Sequence, residues 1–184
     1  MNTTISFNGL PPKTRYVSEK LIVGARQGLF GLKKLQKEEG VNLVIDFSSR
    51  KNFPFPLIET VLCKLINLKH KLIPIDLVNS DFPIKKALDK ATKAIFENEN
   101  NKIFVHCRSG KHRSVLIAAA CEVLKGKIHN SQEFEEFLKN NRYYEIKHKR
   151  KFFIPFKLTP EEAACKIEKL KLQKERFLAI FFGK

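Results

Sequence analysis

One stretch constrains this chain more than any other: Val105-His106-Cys107-Arg108-Ser109-Gly110-Lys111-His112-Arg113-Ser114. The apolar Ile103-Phe104-Val105 before it reads as a buried strand. The run Val115-Leu116-Ile117-Ala118-Ala119-Ala120-Cys121 after it reads as a helix reaching Lys125, with Gly126 as its cap. A strand, a tight basic loop and a helix start make an anion cradle, because successive backbone N–H groups and the helix dipole converge on one point. Five residues separate Cys107 from Arg113, so the loop can curl with the sulfur on its floor and the guanidinium over its rim. The same dipoles and cations favour thiolate over thiol and make Cys107 a nucleophile near neutrality. Gly110 permits the sharp turn and a close backbone approach to a ligand. Ser114 can donate a hydrogen bond from its hydroxyl to the sulfur and so help it leave. Arg108, Ser109, Lys111 and His112 complete the expected anion-binding set, and His106 is expected to hydrogen-bond backbone and support the loop from below.

The rest of the chain sets the frame. Its 184 residues predict a single domain spanning 1–184, with residues 1–14 as an N-terminal arm and 159–184 as a C-terminal helix docked on the domain or extending from it. Net charge is +16, which points to an anionic partner: a polyphosphorylated small molecule, RNA or an anionic membrane surface. Cys63, Cys107, Cys121 and Cys165 show no metal-ligand spacing and read as reduced thiols, with no metal or cofactor expected. Cys63 reads as a core thiol, with a redox partnership to Cys107 as the alternative. The opening residues lack a charged leader followed by an apolar core, and no apolar run is long enough to span a bilayer, so the expected location is the cytoplasm, with secretion without a cleaved signal as the alternative. Oligomeric state leaves no trace in the pattern.

In chain order, Arg15 to Gly24 predicts two short strands around a Ser-Glu-Lys turn, followed by a helix from Leu29 to Glu39 that Gly40 stops. Val41 to Asp46 is a strand. Ser48 to Pro56 is a loop, Leu57 to Leu68 a helix, and Lys71 to Asp76 a further strand. Leu88 to Glu97 forms an amphipathic helix, and Asn98 to Asn101 turns the chain into the central strand. A helix with Ser131 as its start signal runs to Leu138. Arg142 to Lys157 is basic and aromatic, a stretch packed by its Phe residues or an anion-contacting edge. Thr159-Pro160-Glu161-Glu162 starts a last helix reaching Phe181. Strands alternating with helices at these lengths predict an α/β fold, a mostly parallel twisted sheet flanked by helices, with right-handed crossovers.

His-Cys, five residues, Arg, Ser resembles the signature of the cysteine-dependent protein tyrosine phosphatase superfamily, in its dual-specificity branch. The match is sharp over 102–125, diffuse over 15–100 and absent in the last forty residues. The run Cys-Arg-Ser-Gly-Lys-His-Arg is most similar to the plant and fungal atypical dual-specificity phosphatases, some of which act on inositol pyrophosphates. The resemblance implies the three-layer fold of that family. It also implies hydrolysis of phosphate monoesters through a phospho-cysteine on Cys107, with Arg113 and the loop amides holding the phosphoryl oxygens. It further implies a general-acid aspartate about thirty residues upstream. Asp76 lies 31 residues before Cys107 and is preferred; Asp81, 26 residues before, is the alternative. The substrate is a phosphoprotein or a polyanionic phosphate. The crowded cationic loop favours the same chemistry on an inositol phosphate or phosphoinositide, and ranks an RNA 5′-triphosphate lower. The competing class is a phosphate-binding module without turnover.

Overall fold

The computed structural model describes residues 10–48, 54–75, 84–141, 143, 174–176 and 178–182. Five strands and five helices follow one another among them: β1 (Thr14–Ser18), β2 (Leu21–Ala25), α1 (Leu29–Lys37), β3 (Leu43–Asp46), α2 (Phe55–Leu65), β4 (Lys69–Leu72), α3 (Ile84–Phe96), β5 (Ile103–Cys107), α4 (Arg113–Leu124) and α5 (Ser131–Asn140). The strands form one sheet in the order β1-β2-β5-β3-β4. Only the β1–β2 hairpin is antiparallel; β2, β5, β3 and β4 run parallel. This is the expected α/β architecture, with β5 at its centre.

Period-2 alternation sorts the side chains of the inner strands between two cores. Leu21, Val23, Leu43, Ile45, Ile103, Val105 and Cys107 join the larger core with α3, α4 and α5. Ile22, Val44 and Phe104 face the other way, onto Leu32 and Leu35 of α1 and Cys63 of α2. Helix α4 is buried from Ser114 to Glu122, the signature of a helix enclosed on most sides rather than lying on a surface. Leu178, Phe181 and Phe182, in the helical residues near the C-terminus, pack against the larger core, and the Phe182 ring meets Phe134 edge-on at 6.1 Å.

Several boundaries differ from the sequence expectation. The strand expected at Lys71 to Asp76 lies at Lys69–Leu72, because its ladder is set by Leu43↔Lys69 through Asp46↔Leu72 on the edge of the sheet. The more apolar Ile73 and Ile75 follow the strand as buried residues, and Pro74 has no N–H with which to continue a ladder. Helix α2 begins two residues early, with Pro56 in its first turn, where a missing N–H costs nothing. It ends at Leu65 rather than Leu68, just before Asn67 takes a positive φ of 55°. The cap of α5 is Asn130 rather than Ser131: its side chain accepts from the Glu133 N–H at 2.9 Å while Glu133 reaches back to the His129 N–H at 2.8 Å. The Thr159 helix start and most of the 142–157 stretch lie outside the described residues.

Phe134 fills the larger core with none of its surface exposed, whereas Phe30 is 86% exposed. Phe134→Ala is therefore expected to lower unfolding free energy by about 3–5 kcal/mol in urea titration, and Phe30→Ala to change it by less than about 0.5 kcal/mol.

Candidate active site

The parallel strands β2, β3 and β5 end together at Ala25, Asp46 and Cys107, the edge at which open α/β sheets place their ligands. From there the chain turns through residues 108–112 into α4, whose first residue is Arg113. Cys107 and Ser114 are brought together, Sγ to Oγ at 3.5 Å. Burial alone would push the Cys107 thiol up. The Ser114 N–H and hydroxyl, the Arg113 guanidinium and the His112 N–H outweigh it and hold the thiol below its ordinary value. Cys63 and Cys121 supply the contrast: burial takes each up to about 12, with no such ring of donors to reverse it. Cys63 also belongs to the core on the opposite face from Cys107, so it is the core thiol of the preferred reading.

Gly110 explains how the loop is seated. Its φ is +68°, and a Cβ there would lie 2.3 Å from the Ala25 nitrogen and 2.3 Å from the Gly24 carbonyl carbon. The loop thus rests directly on the backbone at the end of β2, which no side chain would permit. Arg15 of β1 pins the same point, donating from Nη2 to the Gly110 carbonyl at 3.1 Å and from Nε to Asn141 Oδ1 at 3.1 Å. Around the loop Arg108 is exposed, whereas Ser109, Lys111, His112 and Arg113 are half-buried. The His112 ring meets Tyr143 edge-on at 6.1 Å.

His106 does not take the backbone partner expected of it. Its side chain is on the far face of β5 from Cys107, stacked on Phe104 at 5.2 Å. Its Nδ1 is 3.6 Å from Asp46 Oδ1, and its Nε2 is 3.0 Å from Glu59 Oε2. Glu59 also meets His70 Nε2 and Arg26 Nε, each at 3.7 Å, and Arg26 Nη2 lies 3.4 Å from Asp46 Oδ2. Donor atoms of Asp46, Glu59, His70 and His106 fall within 4.8 Å of one another, close enough to admit a cation. Arg26 already brings positive charge to both carboxylates, so the arrangement is a closed ion-pair network. None of Arg15, Arg26, Glu59 or His70 was singled out by sequence reasoning. The one available signal was Glu59, which shares its helix face with the buried Pro56 and Cys63. Asp76 and Asp81 lie outside the described residues.

No protein-family model and no curated protein matches the chain. Solved structures do, at low identity. A DUF442 phosphatase of Shewanella putrefaciens superposes with a TM-score of 0.64 at 14% identity, over 92% of this chain and 93% of that one. The core catalytic domain of the PP-IP phosphatase SIW14 from S. cerevisiae, in complex with citrate, gives 0.60 at 14% identity over 92% and 96%. PTPMT1 in complex with PI(5)P gives 0.59 at 15% identity over 91% and 97%. The chain has the fold of these phosphatases.

The buried pair fixes a pH dependence of stability. Burial raises the Glu59 carboxyl, but hydrogen bonding to His106 and then His70 brings it down to about 2. A depressed acid stabilises the fold above its unfolded value of about 4.5 and ceases to as pH falls towards 2, a swing of about 3 kcal/mol. Burial pulls His106 down while Glu59, Asp46 and the Cys107 thiolate raise it further, so its contribution is complete below 6.5 and fades as pH rises above that. The pair is thus at full strength between about pH 4.5 and 6.5. Urea titrations across pH should show the advantage of the native protein over Glu59→Gln greatest in that window and shrinking on the acid side.

Proposed function

We propose that the chain is a cysteine-dependent phosphatase of the dual-specificity type, hydrolysing phosphate monoesters through a phospho-cysteine. The observation that carries this reading is a buried sulfur with a depressed thiol pKa, ringed by the Ser114 hydroxyl, the Ser114 and His112 N–H groups and the Arg113 guanidinium. That is the environment of a nucleophile prepared for an oxyanion, and it has no use in packing alone.

In the first step Cys107 Sγ attacks phosphorus, the bond from phosphorus to the leaving oxygen breaks, and that oxygen takes a proton from an aspartic acid. Arg113 and the loop amides hold the three remaining phosphoryl oxygens, whose charge they match best in the transition state. In the second step water attacks phosphorus, gives its proton to the aspartate, and the S–P bond breaks to release phosphate. Ser114 eases that departure by giving a hydrogen bond to the returning thiolate. Asp76 is the proposed acid and Asp81 the alternative. The contrast to test is a lower kcat for Asp76→Asn, alleviated on aryl phosphates with good leaving groups, against little change for Asp81→Asn.

On an aryl phosphate, Cys107→Ser should abolish turnover and Arg113→Ala should lower kcat/KM on the order of 10³-fold. Continued turnover by Cys107→Ser would overturn the reading. A binding module without turnover would show phosphate affinity but no release of product by the native chain.

A second reading concerns substrate class. Arg108 is exposed beside the half-buried Lys111, His112 and Arg113, so the loop presents more positive charge than one phosphate needs. Support also comes from the folds it shares: SIW14 is a PP-IP phosphatase and PTPMT1 binds PI(5)P, whereas TpbA of P. aeruginosa binds phosphotyrosine. The preferred substrate on this reading carries several phosphates, as an inositol phosphate or phosphoinositide does. Arg108→Ala should then lower kcat/KM on an inositol pyrophosphate about tenfold or more, and on a phosphotyrosine peptide by less than about threefold. We place the protein in the cytoplasm, where its cysteines stay reduced; fractionation of the tagged full chain checks this.

A further inference from the structure

The core beneath the nucleophile holds charge that packing does not require. Asp46, Glu59 and His106 are almost sealed from solvent, at 0%, 1% and 0% exposure. Both ring nitrogens of His106 face carboxylate oxygens, Nδ1 towards Asp46 and Nε2 towards Glu59. A neutral imidazole has one N–H and one lone pair, so one carboxylate would have to face a lone pair in a low-dielectric interior. Neither contact is an aligned hydrogen bond, but an imidazolium carries charge opposite to both carboxylates, which a neutral ring does not.

The surrounding groups balance such a charge. Asp46 on β3 and Glu59 on α2 carry two negative charges, and Arg26, just after β2, answers with one positive. Asp46 Oδ1 also accepts the Ser48 N–H at 2.7 Å, and the Arg26 Nη2 donates to Ser48 Oγ at 2.5 Å. His70 of β4 approaches Glu59 with Nε2 and contacts Thr60 Oγ1 with Nδ1 at 3.1 Å. The other neighbours in this core include the apolar Leu32, Leu35 and Phe104 and the Cys63 thiol one turn from Glu59, which burial and the Glu59 charge push up to about 12 and so keep neutral. One positive charge is therefore needed to neutralise the cluster; of the two histidines, His70 lies 3.7 Å from Glu59 alone, whereas His106 is 3.0 Å from Glu59 and 3.6 Å from Asp46 and is the better placed to carry it.

Its place in the chain gives the charge a direction. His106 immediately precedes Cys107 in β5, and Glu59 meets it at Nε2, the ring nitrogen farther from the backbone. We propose that Glu59 is a positioning residue for the nucleophile, fixing an imidazolium–carboxylate pair whose positive end lies towards Cys107 and favours the thiolate. The thiolate in turn is among the charges that raise His106 above its ordinary value, so the two ionisations support each other. Helix α2, which never touches the loop's ligand site in this scheme, thereby contributes to the chemistry. The proposal rests on Cys107 being the nucleophile of the phosphatase reading, but its first readout needs no turnover.

The experiment is iodoacetamide alkylation of Cys107 as a function of pH, followed by peptide mass spectrometry on the full chain in phosphate-free buffer. Glu59→Gln should raise the midpoint by about one unit and slow alkylation near pH 6 severalfold, with Glu59→Asp between it and the native protein. An unchanged midpoint in a folded Glu59→Gln overturns the proposal. Should that variant fail to fold, ¹⁵N shifts of the histidine rings in the native protein decide the matter. His106 is expected to be protonated on both nitrogens at about pH 7. A bare ring nitrogen there, or a stoichiometric divalent metal in the purified protein, overturns it. A native chain that turns over no aryl phosphate yet shows the shift would remove the phosphatase reading and leave only the coupling of Glu59 to the Cys107 thiol.

Discussion

A sulfur in a protein interior is costly to ionise, and the end of this sheet is arranged to lower that cost. Cys107 is almost completely buried, and burial by itself favours the neutral thiol, as Cys63 and Cys121 illustrate. What reverses the preference is a set of donors that can exist only where a central strand stops and a buried helix starts. The N–H groups of His112 and Ser114 become available there because the first turn of a helix leaves its amides unpaired. Moving the helix start by one residue would turn Arg113 and Ser114 away from the sulfur.

Rigidity follows from the same requirement. Donors stabilise charge without reorganisation only if something holds them, and the loop is held from three sides. Below it, Gly110 is in contact with the β2 backbone. Beside it, Arg15 of the antiparallel edge hairpin ties Gly110 to Asn141 at the end of α5. Behind it, the Phe47 N–H takes the His106 carbonyl at 2.8 Å and the Arg26 N–H takes the Cys107 carbonyl at 3.1 Å. The anchors come from β1, the end of β2, the residue after β3 and the end of α5, so the loop's shape is a property of most of the sheet.

The polar core on the other face shows how a buried network remains tolerable. Charged groups removed from water destabilise a fold unless their partners come with them. Asp46, Glu59, Arg26 and His106 arrive from the ends of three adjacent strands and one helix, and each has an opposite charge within 3.7 Å. Truncating one partner would strand the others in a low-dielectric interior, which is why such clusters are coupled to the stability of the fold as well as to its chemistry.

Sequence by itself determined the alternation of strands and helices, the parallel sheet, the strand–loop–helix around Cys107 and the approach of Cys107, Arg113 and Ser114. The elements and the loop depend on residues close together in the chain, where periodicity and spacing act directly, and the parallel sheet follows from the alternation of strands with helices rather than from any local contact. Tertiary structure decided what lies behind the loop. Asp46, Glu59, His70 and Arg26 are up to 44 residues apart (70 minus 26), and their meeting depends on β5 inserting between β2 and β3. The strand order also decided the edge position of β4, where pairing with β3 moved the strand two residues from its most apolar stretch. Local pattern reports which face of an element is apolar; it carries no information about which distant element will cover that face. A buried glutamate therefore looks like an exception in its own helix, and becomes intelligible only beside the histidine it faces.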